Sequence, residues 1–246
     1  MDDPGDDIIA QLLPDAPGEY LLLGGRPGIG KTNLVLYLAF CLAIGNPFYG
    51  LDVKPCKVGY LAFEGSKRKL NERLEKVTRS FPDPVDNLLV EVATPYRLLK
   101  AKTGKHFIDT ILGLKVVIID PLRYFAPYAE VKDAANFISE FKQILKAAGV
   151  VGVINHHVRK RDRRYRIRPE NFIDELKGAT DFVDSAQSVL LLEKGLQPRD
   201  KKGRLREVSE DDRVLYFVKT KDAIDELKPL ELRFNRETLI FERIEE

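Results

Sequence analysis

Short apolar runs alternate with longer segments of mixed polarity over the first part of the chain. The runs hold about five or six residues each, are rich in Val, Ile and Leu, and do not alternate with polar residues, which is typical of strands covered on both faces. They lie at 20–24, 58–63, 88–92, 116–120 and 150–155. Residues 31–45, 66–81 and 133–149 have helical patterns. Strands alternating with helices predict βαβ units and a parallel sheet.

The pattern changes after residue 185, where the helical segments stop. Strand-like segments joined by polar turns follow at 188–193, 213–220, 229–235 and 238–243. Residues 235–237, Asn-Arg-Glu, are predicted to form the tip of a terminal hairpin. We therefore expect an α/β fold with a mostly parallel twisted sheet, flanking helices and antiparallel C-terminal edge strands. No internal repeat or low-complexity linker divides the sequence, so one domain is expected over 1–246.

The composition and charge exclude some classes of protein but do not indicate a binding partner. The chain has 246 residues, a formal net charge of +2 and two cysteines, Cys41 and Cys56. A balanced charge does not indicate a nucleic-acid partner, so such a partner must be recognised by a local cluster. The two cysteines indicate neither a disulfide framework nor a zinc site. No apolar run approaches the roughly 18 residues of a membrane span, and the acidic N-terminus does not resemble a signal peptide; a cytoplasmic protein without a membrane partner is expected.

The segment "GGRPGIGKTN" carries the clearest chemistry. It satisfies the P-loop pattern G-x-x-x-x-G-K-[ST] between a predicted strand and a predicted helix. Glycines allow backbone N–H groups to turn inward around an anion, and the helix N-terminus adds partial positive charge. The predicted nucleotide-binding residues are Gly25, Arg26, Pro27, Gly28, Ile29, Gly30, Lys31, Thr32 and Asn33. Lys31 is expected to reach the β and γ phosphates, and the Thr32 hydroxyl to bind Mg²⁺.

Two carboxylates end strands where a ligand crevice is expected. Asp120 closes the run "KVVIID", which is the position of a second Mg²⁺-holding group; the alternative is an aspartate that caps a loop before Pro121. Glu64 closes "VGYLAFE" and is expected beside the P-loop strand, where it would align the attacking water. The alternative for Glu64 is a place in the first turn of the next helix.

His156 and His157 follow the run at 150–155. A histidine at this strand end would read the γ-phosphate and report its loss to the following loop. The alternative is a surface or packing histidine. His106 is far away in sequence, so a metal site built from histidines is not expected.

Six segments together resemble one family: "GGRPGIGKTN", "YLAFEG", "VVIIDPLRYF", "NHHVRK", "KGATDFVDSAQSVLLLEKG" and "YFVKTKD". The set is similar to the RecA-type ATPases, in particular the plasmid RepA-like hexameric helicases, with the DnaB helicase core and RadA-like proteins as wider relatives. The resemblance covers roughly residues 15–235. It implies a RecA-like P-loop NTPase domain that uses ATP and Mg²⁺. A separate N-terminal domain like that of DnaB is not expected.

The resemblance also implies roles for individual residues. Glu64 matches the catalytic glutamate, and His157, or less readily His156, matches the residue that contacts the γ-phosphate. A Lys-x-Arg finger that enters the neighbouring subunit's site corresponds to Lys219 and Lys221, where lysine replaces the arginine. Residues 177–180, Lys-Gly-Ala-Thr, stand where the relatives have Arg-Gly-Ser-Ser. Since an ammonium cannot make the bidentate contacts of a guanidinium, these departures put the hydrolysis rate in doubt but not nucleotide binding.

A concentrated basic segment follows the two histidines. Its predicted DNA-binding residues are Arg159, Lys160, Arg161, Arg163, Arg164, Tyr165, Arg166 and Arg168. Cations with one aromatic side chain are typical of a loop that follows a phosphate backbone and stacks on a base; the alternative is a solvated charge run. In the related proteins this loop faces a central channel that holds single-stranded DNA. Arg123, Tyr124, Phe125 and Tyr128 are further candidates for that channel, with packing as their alternative.

These features, together with the resemblance to the RecA-type ATPases, predict an ATP-dependent DNA helicase or translocase that acts in replication. The expected partners are single-stranded DNA, further copies of the chain in a hexameric ring, and a primase or replication initiator. The first alternative is a RecA/RadA-like recombination or repair ATPase that forms filaments. The second is a regulatory ATPase switch that acts on a protein partner, against which the arginine-rich segment argues.

Overall fold

The computed structural model describes residues 7–81, 85–93, 101–125, 134–157, 180–195, 209–221 and 226–244. Its centre is a nine-stranded sheet in the order β11-β10-β9-β8-β3-β7-β6-β4-β5. The strands of this sheet are β3 (Tyr20–Gly25), β4 (Val58–Ala62), β5 (Leu88–Val92), β6 (Val116–Asp120), β7 (Val151–His157), β8 (Ser188–Lys194), β9 (Asp212–Thr220), β10 (Leu230–Phe234) and β11 (Phe241–Arg243). A separate hairpin joins β1 (Asp7–Ile9) to β2 (Leu13–Pro14).

Helices cover both faces of the sheet. They are α1 (Lys31–Ile44), α2 (Lys67–Thr78), α3 (Ala101–Ile111), α4 (Leu122–Phe125), α5 (Ala134–Ala148) and α6 (Thr180–Ser185). The apolar side chains of α1 and α2 pack with Leu21 and Leu23 of β3 in one core. Those of α3 to α6 pack with Tyr20 and Leu22 in a second core on the other face. Successive residues of β3 thus point to opposite faces, and both faces are apolar because both are covered.

The predicted fold class is confirmed. The strands β3 to β8 are parallel, and β9, β10 and β11 continue the sheet in antiparallel pairs. The segment at 188–193 belongs to the parallel part, since β8 pairs directly with β3. The turn predicted at 235–237 joins β10 to β11, where the backbone N–H of Glu237 donates to Oδ1 of Asn235 at 2.9 Å.

Some elements were not expected from the sequence. The hairpin β1–β2 and the helices α3, α4 and α6 have no counterpart among the predicted elements. The predicted strand at 238–243 begins only at Phe241. Residue 238 belongs to the turn, and residues 239 and 240 connect the turn to the strand. The helix predicted at 133–149 spans 134–148, and its expected Asp133 cap lies outside the described residues.

The sheet order corrects one expectation about the site. The strand β4, which leads to Glu64, is separated from the P-loop strand β3 by β7 and β6. The prediction that Glu64 lies beside the P-loop strand is therefore wrong. The direct neighbours of β3 are β7 and β8, and β7 carries the two histidines. No helix in the described ranges is long and apolar enough to cross a membrane.

Candidate nucleotide-binding site

The P-loop joins β3 to α1 through glycines in conformations that other residues avoid. Gly25, Gly28 and Gly30 have φ angles of 155°, 78° and 106°. Gly30 is the N-cap of α1 and has no side-chain cap, so the first N–H groups of the helix are left for an anion. A Cβ on Gly30 would lie 2.5 Å from the ring of Phe241, which means that β11 packs directly against the loop.

The buried ammonium of Lys31 is held by oxygen and nitrogen acceptors. Its Nζ donates to the carbonyl oxygens of Gly25 and Arg26 at 2.7 and 3.0 Å and lies 3.1 Å from Nδ1 of His157. Burial lowers the pKa of Lys31 to about 8, and the charges of Asp120 and Glu64 oppose that shift. Lys31 is therefore still protonated at neutral pH and has internal partners that a phosphate would replace.

Asp120 ends β6 with a carboxylate that receives several donors. The Thr32 hydroxyl donates to its Oδ1 at 3.4 Å, the Asn155 side-chain amide donates to the same oxygen, and the Tyr60 hydroxyl donates to Oδ2. Burial raises the pKa of Asp120, whereas these hydrogen bonds and the charge of Lys31 lower it. Tyr60 and Asn155 were not expected to take part in the site, because the sequence alone does not show the pairing and register of β4 and β7 with β6, which decide which side chains lie near Asp120.

Glu64 and His157 approach each other at the carboxyl edge of the sheet. Oε2 of Glu64 lies 3.9 Å from Nε2 of His157, and 57% of the Glu64 side chain is exposed. Burial and the nearby charges of Lys31 and Arg123 lower the pKa of His157 to about 4. The imidazole is therefore neutral at pH 7 and can accept a hydrogen bond from Lys31.

His156 lies on the opposite side of the strand. Its ring stacks on Phe182 of α6, with the ring centroids 6.4 Å apart, and burial lowers its pKa to about 4. It is absent from the lining of the cavity that holds Lys31 and His157. Period-two alternation along β7 explains why only one of two adjacent histidines faces the site.

A cavity of about 810 Å³ lies between the P-loop and α2. Lys31, Thr32, Glu64, Asp120 and His157 all line it, together with Pro27, Gly28, Gly30 and Asn33. Three cations that the sequence reasoning did not place at a nucleotide also line it: Lys69, Arg73 and Arg123. A cavity with this balance of cations and a few carboxylates matches the charge of a nucleotide polyphosphate with a divalent ion.

Arg26 and Ile29 of the P-loop contact β8 and β9. Nε of Arg26 lies 3.3 Å from Oε2 of Glu193 at the end of β8. Nε of Arg213 in β9 donates to the carbonyl oxygen of Ile29 at 2.9 Å. Gly25, Arg26 and Ile29 do not line the cavity, so their contribution is to hold the loop in shape.

The two finger candidates lie at the end of β9. Nζ of Lys219 donates to the carbonyl oxygens of Val183 and Asp184 in α6 at 2.8 and 2.7 Å. Lys221 is exposed, and its backbone N–H donates to the carbonyl oxygen of Gln187 at 3.2 Å. Neither lysine lines the cavity of its own chain.

Several predicted residues fall outside the described part of the chain. They are Lys177, Gly178, Ala179, Tyr128, Arg159, Lys160, Arg161, Arg163, Arg164, Tyr165, Arg166 and Arg168. Of the candidates at 121–131, Phe125 is fully buried among Phe63, Phe107 and Phe141, so packing accounts for it. Arg123 lines the nucleotide cavity.

Known proteins with a similar sequence or fold also indicate a P-loop ATPase. The AAA domain family matches residues 3–163. Among solved structures, a DnaB-like replicative helicase, described with its interactions with primase, superposes with a TM-score of 0.62 at 16% sequence identity. The match covers 94% of this chain and 60% of the helicase chain, so it shows a shared fold. No curated protein matches the sequence. The resemblance to the RecA-type P-loop ATPases is thus confirmed.

Proposed function

Because the chain belongs to the AAA domain family, we propose that it hydrolyses ATP and acts as a ring-forming translocase or helicase on single-stranded DNA in replication. One observation carries the proposal of hydrolysis. One cavity of about 810 Å³ is lined by four residues that are far apart in sequence: Lys31, Glu64, Asp120 and His157. A binding site alone needs no carboxylate opposite the P-loop, whereas hydrolysis needs a group that orients water.

The donor set fits ATP with Mg²⁺. The Thr32 hydroxyl and the Asp120 carboxylate are oxygen ligands of the kind that Mg²⁺ prefers, and their contact at 3.4 Å brings them to one side of the cavity. The oxygen Oδ1 of Asn33, another residue of the lining, is buried without a hydrogen-bond partner among the described residues. Bound Mg²⁺ would neutralise charge on the phosphates. Thr32 and Asp120 would hold it.

The chain's own residues supply the other parts of the mechanism. Lys31 would transfer its hydrogen bonds from the carbonyls of Gly25 and Arg26 to phosphate oxygens. Glu64, exposed at the cavity wall, would accept a hydrogen bond from the attacking water and orient it. Neutral His157 accepts a hydrogen bond from Lys31 at Nδ1, so its proton is on Nε2, the nitrogen nearer Glu64, and would be available to donate to the γ-phosphate.

The proposal of DNA binding rests on the arginine-rich segment. Residues 158–168 follow His157 directly in the sequence, and His157 is the last residue of β7. A change at the γ-phosphate would therefore be transmitted to the start of the segment through one residue. Cations in this number release many counterions on binding a phosphate backbone, so the affinity should fall steeply with salt.

The proposal of assembly rests on the fold and on the finger candidates. The exposed Lys221 does not line the cavity of its own chain, so a role at a nucleotide would require a head-to-tail contact with a neighbouring copy. Such a heterologous contact closes into a ring or continues as a filament, and we propose a hexameric ring. The DnaB-like helicase was solved for its interactions with primase, which supports a primase or a replication initiator as a further partner.

ATPase assays with and without single-stranded DNA test the proposal, with Lys31→Ala as the inactive control. We expect turnover that DNA stimulates, and DNA affinity that falls by about 10³-fold or more between 50 and 200 mM salt. If the affinity for single-stranded DNA is unchanged after replacement of the arginines at 159, 161, 163, 164, 166 and 168, the proposal of DNA binding is wrong. Turnover in Lys31→Ala would show that the site itself is assigned wrongly.

A regulatory ATPase switch is the second candidate. It is favoured by the finger segment, where lysine replaces arginine and Lys219 is bonded within its own chain. ATP turnover that DNA leaves unchanged would support the switch. Closed rings in electron micrographs with ATP and DNA would support the helicase, and helical filaments would support the RadA-like alternative.

A further inference from the structure

The short helix α6 ends with donors on the carbonyls of its last four residues. The last four carbonyl groups of a helix lack partners within it. Here the Tyr20 hydroxyl donates to the carbonyl of Phe182 at 2.5 Å, and Nζ of Lys142 lies 3.4 Å from that of Ser185. The two carbonyls between them both accept from Lys219. The end of α6 is therefore capped by side chains from three other elements.

Lys219 is committed to this cap. It is the second-last residue of β9, and its ammonium makes bonds of 2.8 and 2.7 Å to Val183 and Asp184. A cation at a helix C-terminus is also favoured by the partial negative charge there. To reach a neighbouring chain, Lys219 would have to leave both carbonyls without their charged donor.

Lys221 differs from Lys219 in each of these respects. It lies just past the end of β9, and its side chain is exposed. Its backbone is fixed by the N–H bond to Gln187 at 3.2 Å, so the position of the residue is set while the ammonium faces solvent. Burial lowers the pKa of Lys219, and the charge of Lys221 adds to that shift.

We propose that the two lysines divide the role expected of the Lys-x-Arg segment. Lys219 is a positioning residue that anchors α6 within its own chain, and Lys221 is the cation offered to the nucleotide of a neighbouring copy. The second half rests on the proposed function.

Hydrogen exchange tests the anchor independently of any activity. Lys219→Met keeps the apolar stem and removes both donors, and Lys221→Met is the matched control two residues away. We expect amide exchange in 182–186 to become about tenfold faster in Lys219→Met, as expected for the loss of charged hydrogen bonds, and to stay unchanged in Lys221→Met. If Lys219→Met fails to fold, Lys219→Gln, which replaces the ammonium by a neutral amide donor, tests the same two contacts in the same peptide. Unchanged exchange at α6 would overturn the anchor.

Mixed assemblies test the division of roles. Lys31→Ala subunits lack a working P-loop but keep both lysines, so they can donate a finger to a neighbour. In equal mixture with Lys221→Met, about one quarter of the interfaces join an intact P-loop to an intact finger, by the head-to-tail geometry. We expect this mixture to turn over ATP at up to about a quarter of the wild-type rate. A mixture of Lys31→Ala with Lys219→Met should turn over ATP no faster than the two variants do when they are assayed separately.

Recovery with Lys219→Met equal to that with Lys221→Met would show that both lysines act in trans, and would overturn the proposed division of roles. Recovery with neither, in a wild type that is active, would overturn the role of Lys221. If the wild type itself shows no turnover, the proposed function fails, and hydrogen exchange still decides the anchor.

Discussion

The ammonium of Lys31 lies 3.1 Å from Nδ1 of His157, and the strands that lead to them are paired side by side, with Gly25 opposite His157. The pKa of Lys31 is lowered to about 8 and that of His157 to about 4, burial being the first cause of both. One partner is thus charged and the other neutral at pH 7. This pairing links the P-loop to the strand that leads into the arginine-rich segment.

Lys31→Met should stabilise the fold while it abolishes nucleotide binding. The folded pKa of about 8 is below the ordinary 10.5, so folding disfavours the charged form, and below pH 8 the charge costs on the order of 1–3 kcal/mol. We expect the free energy of unfolding at pH 7 to rise by that amount in urea titrations.

The pH dependence gives the control. Between pH 8 and 10.5 the unfolded chain binds the Lys31 proton and the folded chain does not, so wild-type stability gains with pH from this group. The advantage of Lys31→Met should therefore be largest below pH 8 and shrink toward pH 10. If Lys31→Met is more stable than the wild type by the same free energy at pH 7 and at pH 10, the lowered pKa of Lys31 is not the cause.

Tyr60→Phe should weaken the Mg²⁺ site. Tyr60 is fully buried and its hydroxyl donates to Oδ2 of Asp120, so the variant keeps the packing and removes one constraint on the carboxylate. Loss of a supporting hydrogen bond to a metal ligand typically costs 10–100-fold in affinity. We expect the Mg²⁺ concentration needed for half-maximal binding of a fluorescent ATP analogue to rise by about tenfold. Binding in EDTA should not change. Tyr20→Phe, which is equally buried and loses a hydroxyl bond to the carbonyl of Phe182 outside the cavity, is the matched control.

Glu64→Gln should separate binding from hydrolysis. The side chain is exposed, and its carboxylate lies 3.9 Å from the neutral ring of His157, so the fold should tolerate the amide. An amide cannot act as a base, and we expect turnover to fall by about 10²–10⁴-fold while ATP affinity stays within about threefold. Equal loss of affinity and turnover would indicate that Glu64 binds the nucleotide instead of orienting water.

Gly30→Ala should be more harmful than Gly28→Ala. Both glycines have positive φ angles, 106° and 78°, so both variants strain the backbone by about 1–2 kcal/mol. The Cβ at Gly30 would meet the Phe241 ring at 2.5 Å, whereas none of the described residues lies within 4 Å of one at Gly28. We expect a larger fall in melting temperature for Gly30→Ala. Equal melting temperatures would show that β11 does not press on the loop.

Much of the fold and of the site follows from local sequence. The strand and helix of the P-loop begin close to the expected residues, since glycine spacing and apolar runs are local signals. The position of Glu64 does not follow from them. Its strand lies three places from the P-loop strand in the sheet, and strand order depends on which crossovers pack best across the whole domain.

The helix α6 was missed for a related reason. It has six residues, too few for a clear helical period, and its carbonyls depend on Tyr20, Lys142 and Lys219 from elsewhere. Its stability therefore comes from tertiary contacts, which a local pattern does not contain.

The sequence by itself determined the P-loop, its flanking elements and the α/β class, because glycine conformation, apolar spacing and strand-ending carboxylates act over a few residues. Only the tertiary structure decided which histidine faces Lys31, that Tyr60 and Asn155 hold Asp120, and that Lys219 is bonded to α6. Each of these depends on the register between strands that are distant in sequence, and register is set by packing on both faces of the sheet.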